Sequence, residues 1–214
     1  MDAKQEELEQ YISSHIDAEP SLLHELDRTT HCRYLAARMV SGHMQGMLLK
    51  MIVRMVNPRR ALEIGTFTGY SALSIASGFL RDEAHLHTIE IDDELEGFIR
   101  SYLERSEDKG RITLHIGDAL TVINDIGGEF DFVFIDGNKR EYVRYYEAVL
   151  PRMTSGGVMV VDNVLWDGKV ITPPAKRDAQ TEGVRAFNDY VAADGRVEKV
   201  MLPVRDGLTI IRKV

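Results

Sequence analysis

The sequence predicts an α/β fold, an open and mostly parallel sheet with helices on both faces. From Ala61 onward, apolar runs of strand length alternate with helical patterns, as in βαβ units. The runs 130–135 and 157–161 are rich in β-branched and aromatic residues, as buried parallel strands are. The dipeptide Asp206-Gly207 separates the last two apolar runs and indicates a hairpin, so we expect the sheet to end in an antiparallel pair.

The first 57 residues are expected to form helices that precede this core. An apolar stripe covers residues 8–15, and Pro20 is expected to end that segment. Ser21 is the expected N-cap of the next helix. A methionine-rich stripe over residues 45–55 predicts a third helix, with the methionines as core filler. The looser segment 39–46 is a candidate to close over a bound ligand.

The remaining elements follow the same alternation of strand and helix. Strands are predicted at residues 61–65, 85–91, 112–117, 130–136, 158–162, 197–204 and 208–212. Helices are predicted at residues 70–79, 92–106, 141–150 and 181–193, with a short one from 119. A chain of 214 residues buries a large core, and no repeat or linker divides it, so we expect a single domain over residues 1–214.

Composition argues against several classes of protein. Lys and Arg number 26 against 34 Asp and Glu, and a net charge of −8 disfavours binding to the phosphates of nucleic acid. The single cysteine excludes an intrachain disulfide. No apolar run approaches the ~20 residues of a membrane helix. The charged N-terminal residues lack the apolar core of a signal peptide. We therefore expect a cytoplasmic protein that binds neither nucleic acid nor a membrane.

Two predicted strands end in acidic residues. Asp136 follows one apolar run, and Asp162-Asn163 follows the next. In an open α/β sheet, ligands lie just beyond the carboxyl ends of the strands, so these side chains are expected to share one crevice. Three hard oxygen ligands suit Mg²⁺ or a similar cation, with Mn²⁺ and Ca²⁺ as alternatives. Lys139 lies on the loop that leaves the same strand as Asp136 and is a candidate base.

A glycine-bearing turn joins the first core strand to its helix. Gly65 and Gly69 allow close backbone approach, and the helix start offers free N–H groups to a carboxylate or phosphate. The turn is not a G-x-G-x-x-G dinucleotide motif, because Thr66 and Phe67 follow Gly65. An ordinary β-α turn is therefore the alternative.

Acidic residues end the next two strands. Glu90 lies 25 residues after Gly65, close to the roughly 20-residue spacing of an acid that binds ribose hydroxyls. Asp118 could accept a hydrogen bond from an adenine amino group, with the N–H of Ala119 donating to the ring. Asp118 could equally cap the following helix, and the two roles are compatible.

These motifs together resemble the cation-dependent class I O-methyltransferases, the group of caffeoyl-CoA and catechol O-methyltransferases, and most closely their bacterial members. The resemblance covers about residues 39–214 and is carried by the segments Leu62-Glu63-Ile64-Gly65-Thr66-Phe67-Thr68-Gly69-Tyr70-Ser71, Phe134-Ile135-Asp136-Gly137-Asn138-Lys139, Asp162-Asn163-Val164-Leu165-Trp166 and 201–210. It implies a Rossmann-like class I methyltransferase fold with seven strands and a reversed last strand, and commonly a homodimer. It also divides the chain into N-terminal helices over residues 1–57 that cover the acceptor side and a core over residues 58–214 that binds S-adenosylmethionine.

The resemblance also implies the site residues. Glu63, Gly65 and Ser71 surround the methionine end of the donor, and Glu90 binds its ribose. The full set of implied donor contacts is Val40, Glu63, Gly65, Thr66, Ser71, Glu90, Ile91, Asp118, Ala119 and Asp136. Asp136, Asp162 and Asn163 are the implied cation ligands, and Lys139 and Asp136 the catalytic pair.

The implied activity is methylation of a vicinal hydroxyl on a small catechol-like aromatic acceptor. His43 stands where the family often has glutamine, and it either touches the acceptor or only begins a helix. Trp166 either walls the acceptor pocket beside Lys139 or packs under the following loop. The plant CoA-ester enzymes have a longer segment where this chain has the short loop 173–180, which favours a smaller acceptor. The alternatives are a non-catalytic module that binds adenosyl ligands and an RNA-directed methyltransferase, which the negative charge disfavours.

Overall fold

The computed structural model describes residues 3–172 and 178–214, without the side chains of residues 3–6 and 9. Its helices are α1 Ala3–Ser13, α2 Ser21–Arg33, α3 Gly42–Val56, α4 Tyr70–Ala76, α5 Glu96–Leu103, α6 Ala119–Asp125, α7 Tyr142–Val149 and α8 Ala179–Ala193. Its strands are β1 Arg60–Ile64, β2 His85–Glu90, β3 Ile112–Ile116, β4 Phe130–Ile135, β5 Met153–Asp162, β6 Val197–Leu202 and β7 Leu208–Lys213.

The strands form one seven-stranded sheet in the order β3-β2-β1-β4-β5-β7-β6. The pairs among β1 to β5 are parallel, whereas β7 is antiparallel to both β5 and β6. The hairpin predicted at Asp206-Gly207 therefore forms. Gly207 is required there, because a Cβ at this position would overlap Leu165. The turn thus lies directly against the segment that follows β5.

Helices cover both faces of the sheet. On one face α6, α7 and α8 pack over residues such as Val133 and Ile135, with Tyr142 and Phe187 fully buried between them. On the other face α3 and α4 pack over Phe132 and related residues. A strand that is covered on both sides has no polar face, which is why β4 has the continuous apolar run expected of a buried parallel strand. The predicted α/β fold is confirmed.

Several predicted boundaries were wrong. Ser21 is not a cap, because Pro20 is the N-cap residue of α2 and no side chain makes a capping hydrogen bond there. Residues 42–46 are not loose, since α3 already begins at Gly42 and the side chain of Gln45 is buried. The methionine stripe is not all core, since Met51 and Met55 are exposed. β5 begins at Met153, five residues earlier than predicted, next to a shift in its register with β4.

None of the helices in the described parts of the chain has the length and hydropathy that a membrane crossing needs. The short loop 173–180, which bears on acceptor size, falls mostly on residues 173–177, outside the described residues.

Candidate active site

Asp136 and Asp162 leave neighbouring strands at the same edge of the sheet. Ile135 of β4 pairs with Val161 of β5, so the residue after each lies side by side with the other. Parallel strands are about 4.8 Å apart, which places the two carboxyl groups within reach of one ion. The prediction from sequence that these acids share one crevice fits this register.

Asp162 is a buried carboxylate with one donor on each oxygen. Its Oδ2 accepts from Nε2 of Gln45 at 2.6 Å, and its Oδ1 accepts from the backbone N–H of Asn163 at 2.7 Å. Burial, and then the charge of Asp136, raise the pKa of Asp162 to about 7. Each oxygen keeps a lone pair, and the two acids repel each other, so a positive charge between them would be stabilised.

Lys139 contributes a positive charge to this edge. The lysine is buried, and its Nζ donates to Oδ1 of Asp136 at 2.6 Å. The same Nζ lies 5.2 Å from the ring centroid of Tyr142 and 5.9 Å from that of Trp166. The site therefore holds a lysine amine between a carboxylate and two aromatic rings, with Trp166 beside it.

Asn163 and Trp166 lie on the turn after β5, which is bent sharply by residues in the left-handed region. Asn163 has φ +57° and Trp166 has φ +47°, which is uncommon for residues other than glycine. Nδ2 of Asn163 donates to Oδ2 of Asp206 at 3.4 Å. Because Asp206 can only accept, this bond turns the amide oxygen of Asn163 away from Asp206 and leaves it free for a cation.

The donor set fits a hard divalent cation. It consists of the carboxylates of Asp136 and Asp162 and the amide oxygen of Asn163, which are the ligand types that Mg²⁺, Mn²⁺ and Ca²⁺ take. Across residues 3–172 and 178–214, no three His, Cys, Asp or Glu side chains converge as a metal cluster. The candidate site thus has two acids and an amide, and its remaining positions are left for water and substrate oxygens.

The glycine-bearing turn places Gly65 directly against the end of β4. A Cβ at Gly65 would overlap the backbone carbonyl oxygen of Asp136, and φ is +96°, so only glycine fits. This close approach brings the donor-side turn next to the acidic edge.

Glu63 is a fully buried acid beneath this turn. Oε2 accepts from the hydroxyl of Thr88 at 2.5 Å, whereas Oε1 has no hydrogen-bond partner within the described residues. Burial raises the pKa of Glu63 to about 8, and the nearby hydroxyls of Ser71 and Thr88 oppose part of that shift. An unpartnered buried carboxyl oxygen is costly, so this atom fits a site for a positively charged ligand group.

We expect Glu63 to make the protein less stable as pH rises. Its pKa is raised from 4.5 to about 8, so between these values the folded protein holds a proton that the unfolded chain has lost. The free energy of unfolding then falls with rising pH, by up to about 1.4 kcal/mol per pH unit for one full proton. Urea denaturation at pH 5 to 8 should show a steeper fall in the wild type than in Glu63→Gln, which keeps only the contributions of other carboxyls with raised pKa, such as Asp162 and Glu90. The exposed Glu94→Gln is the control, and parallel pH curves for the wild type and Glu63→Gln would contradict the expectation.

Glu90 ends β2 and is held by backbone groups. Its Oε2 accepts from the N–H of Phe67 at 2.6 Å, and its Oε1 accepts from those of Ile91 and Asp92 at 2.9 Å. Burial raises the pKa of Glu90. The carboxylate therefore lies at the end of the glycine-bearing turn, where ribose binding was predicted. Ile91 beside it is an exposed apolar side chain.

Asp118 is the N-cap of α6. Its Oδ1 accepts from the N–H groups of Leu120 at 2.8 Å and Thr121 at 3.3 Å, which confirms the predicted cap. The adenine contact remains a prediction for Asp118 and for the buried Ala119. Thr66, also a predicted donor contact, is buried, and its hydroxyl lies 2.5 Å from that of Thr88.

His43 lies in the first turn of α3, and Val40 lies two residues before the helix begins. Nε2 of His43 is 2.8 Å from the backbone oxygen of Asp17, so the structure places this ring against the segment between α1 and α2. Val40 is buried, and its carbonyl oxygen accepts from Arg205 at 3.0 Å.

Sequence reasoning missed three polar residues of this site. Gln45 was treated only as part of a helical stripe, and Arg205 and Asp206 only as a turn. Gln45 bonds to Asp162, Arg205 bonds to Gln45, and Asp206 bonds to Asn163. The one available signal was a polar residue, Gln45, within an otherwise apolar helix face.

A model of the family described as O-methyltransferase matches residues 10–214. The chain belongs to the O-methyltransferase family. Curated relatives include the caffeoyl-CoA O-methyltransferase of Stellaria longipes, which is 30% identical over 98% of this chain and 91% of the relative. Caffeoyl-CoA O-methyltransferase 1 of Arabidopsis thaliana is 32% identical over 98% of this chain and 85% of the relative. The resemblance to the class I O-methyltransferases of the caffeoyl-CoA group is thereby confirmed.

Solved structures of methyltransferases share the fold. The O-methyltransferase TomG of Streptomyces achromogenes, in complex with SAM, has a TM-score of 0.92 and 28% identity over 100% of this chain and 99% of its own. The SAH-bound methyltransferase PaMTH1 of Podospora anserina has a TM-score of 0.90 and 28% identity over 100% of this chain and 96% of its own. The Rossmann-like methyltransferase fold with an antiparallel last strand is therefore confirmed, as is the prediction that the chain is an O-methyltransferase.

Proposed function

We propose that this O-methyltransferase transfers the methyl group of S-adenosylmethionine to one hydroxyl of a vicinal diol on a small aromatic acceptor, with the help of a divalent cation. The observation that carries the proposal is the pair Asp136 and Asp162 on adjacent strand ends, with the Nζ of Lys139 on the first of them. An oxygen nucleophile is thus offered both a cation site and a base.

The donor site is supported by the residues around the glycine-bearing turn. Glu63 offers its buried Oε1, which has no hydrogen-bond partner in the part of the chain that the structure describes, to the positively charged methionine end, and Gly65 allows close approach. Glu90, at the end of β2, is proposed to bind the ribose. TomG and PaMTH1, which share this fold, are described with SAM and SAH respectively. The donor supplies an electrophilic methyl group on sulfur.

The residues proposed for the cation are Asp136, Asp162 and Asn163. A free catechol hydroxyl titrates near pH 10, like tyrosine, so it is mostly neutral at pH 7. A bound divalent cation would lower that pKa and fix the position of the hydroxyl. Lys139 is the proposed base for the proton, because its Nζ is buried at the same edge of the sheet. Together the residues would hold an acceptor oxygen in place, which can lower the activation barrier by several kcal/mol.

The acceptor is proposed to be small. Trp166 lies beside Lys139 and is proposed to form one wall of the acceptor pocket. The loop 173–180 is short, which leaves little chain to bind a CoA group. The names of the relatives from Stellaria longipes and Arabidopsis thaliana include caffeoyl-CoA, so this ester is the alternative acceptor to test.

We also propose that the enzyme is a cytoplasmic homodimer without a nucleic-acid or membrane partner. The net charge of −8 supports the absence of a nucleic-acid partner.

An acceptor panel tests the proposal. Purified enzyme with Mg²⁺ and methyl-labelled donor is given catechol, its 1,3- and 1,4-dihydroxy isomers, phenol, caffeic acid and caffeoyl-CoA. We expect labelled product from catechol and caffeic acid, and at least about 10²-fold less from the isomers that cannot chelate a cation through two oxygens. Equal transfer to the three dihydroxybenzene isomers would contradict the vicinal-diol proposal. Donor binding without transfer to any acceptor would favour a non-catalytic adenosyl-binding module, and transfer to RNA alone an RNA methyltransferase.

A further inference from the structure

We propose that Gln45 and Arg205 are positioning residues of the cation site, a relay that runs from the β6–β7 turn to Asp162. The inference rests on the proposed function, since it takes Asp162 as a cation ligand. Neither residue contacts the reacting atoms, so both act through Asp162.

Two hydrogen bonds form the relay. NH1 of Arg205 donates to Oε1 of Gln45 at 3.0 Å, and Nε2 of Gln45 donates to Oδ2 of Asp162 at 2.6 Å. Gln45 is only 1% exposed, so its amide has no water to replace either partner. The two bonds connect residues on three elements that are distant in the sequence.

Arg205 and Asp162 together decide which way the amide of Gln45 points. A glutamine side chain has one accepting and one donating end, and it can rotate to exchange them. Arginine can only donate and an ionised carboxylate can only accept, so one orientation satisfies both neighbours. Without Arg205, only Asp162 holds the amide in this orientation, and the buried Oε1 of Gln45 loses its donor. The donor on Oδ2 of Asp162 is then less firmly fixed, and so is the carboxylate.

The backbone of Arg205 supports a specific role for its side chain. Its φ is +51°, in the left-handed region where glycine is favoured. A non-glycine residue persists there only when its surroundings compensate for the strain. Arg205 is an exposed residue, yet its guanidinium makes two bonds, to Gln45 and, through NH2, to the backbone oxygen of Val40 at 3.0 Å.

The same turn reaches the second cation ligand. Asp206, the next residue, accepts from Nδ2 of Asn163 and from the backbone N–H of Asp167. The backbone oxygen of Asp206 also accepts from the N–H of Leu165 at 2.9 Å. One turn therefore orients both candidate ligands at the end of β5: Asp206 acts directly on Asn163, and Arg205 acts through Gln45 on Asp162.

Direct cation binding tests the relay without turnover. Mn²⁺ binding is measured by the electron paramagnetic resonance signal of free Mn²⁺, on purified enzyme without donor or acceptor. We expect Gln45→Met and Arg205→Gly each to weaken Mn²⁺ binding about 10- to 100-fold, the usual effect of losing a partner behind a metal ligand. We expect the double variant to be no more than about twofold weaker than Gln45→Met alone, because the two residues act in series.

Melting temperature separates positioning from general stability. Glycine fits φ +51°, and this gain offsets part of the loss of the two guanidinium bonds, so Arg205→Gly should melt close to the wild-type temperature while its Mn²⁺ affinity falls. The matched control is Asn57→Gly, which also replaces a residue with positive φ, at the C-cap of α3. Asn57 lies by the amino-terminal ends of the strands, and its variant should bind Mn²⁺ like the wild type.

Each outcome bears on a stated part of the proposal. Wild-type Mn²⁺ affinity in both single variants, or losses that multiply in the double variant, would overturn the relay and leave the proposed function intact. Absence of Mn²⁺ binding by the wild type would overturn both. If Gln45→Met does not fold, Arg205→Gly alone decides, because its side chain is at the surface.

Discussion

Lys139→Ala is expected to lower kcat for a catechol by about 10²- to 10⁴-fold, the usual contribution of a general base. The reason is geometric: Nζ is buried at the acidic edge of the sheet, 2.6 Å from Oδ1 of Asp136 and beside the ring of Trp166. Initial rates with methyl-labelled donor, at saturating catechol and Mg²⁺, measure the loss. Donor affinity, followed by calorimetry with S-adenosylhomocysteine, should change little.

Lys139→Arg separates proton transfer from charge. Arginine can keep the ion pair with Asp136, yet it stays protonated in proteins and cannot act as a base. We therefore expect Lys139→Arg to be about as inactive as Lys139→Ala. Recovery of the wild-type kcat in the arginine variant would show that Lys139 supplies only a positive charge.

Asp162→Asn is expected to weaken cation binding strongly and to lower kcat/KM by about 10²-fold or more, equal to at least about 2.7 kcal/mol in the transition state. The substitution keeps the shape of the side chain but removes a charged ligand. Burial and Asp136 raise the pKa of Asp162 to about 7. The ionised carboxylate is thus costly without a cation, and Asp162→Asn should unfold no more easily than the wild type at pH 8. Mn²⁺ titration and urea denaturation measure the two effects.

Asp131→Asn is the control for this substitution. Asp131 lies at the opposite end of β4, where its Oδ2 accepts from the backbone N–H groups of Arg59 at 2.8 Å and Arg60 at 3.1 Å. The variant should bind Mn²⁺ and turn over like the wild type. Cation binding in Asp162→Asn equal to that of the wild type would remove Asp162 from the ligand set.

The sheet was predictable because its strands have a strong local signature. β4 is buried on both faces, so its continuous apolar run identifies it as a buried strand of the sheet. The hairpin at Asp206-Gly207 was likewise predictable from the sequence, since a hairpin turn depends on the backbone conformations that its own residues favour. The N-terminal helix boundaries were less predictable. Serine is a common N-cap residue, but Pro20 and not Ser21 occupies the N-cap position of α2. This helix is held by packing against residues that are distant in the sequence.

The candidate site was predictable only as far as its residues end strands. Asp136, Asp162 and Glu90 follow apolar runs, and strand ends of a parallel sheet meet at one edge. Gln45 was not predictable in its role, because its partner Asp162 is 117 residues away. Arg205 lies 160 residues from Gln45, and nothing in the sequence indicates that its φ is positive. Contacts of this kind depend on how α3 and the β6–β7 turn pack together.

The most direct test of the proposed function is methyl transfer to catechol before and after removal of divalent cations. Enzyme treated with EDTA and desalted is assayed alone, and again with Mg²⁺, Mn²⁺ or Ca²⁺ added back. We expect the chelated enzyme to lose at least about 10²-fold in rate and to recover with Mg²⁺ or Mn²⁺, while it binds S-adenosylhomocysteine throughout. Full turnover in the chelated enzyme would contradict the cation-assisted mechanism, although membership of the O-methyltransferase family would stand.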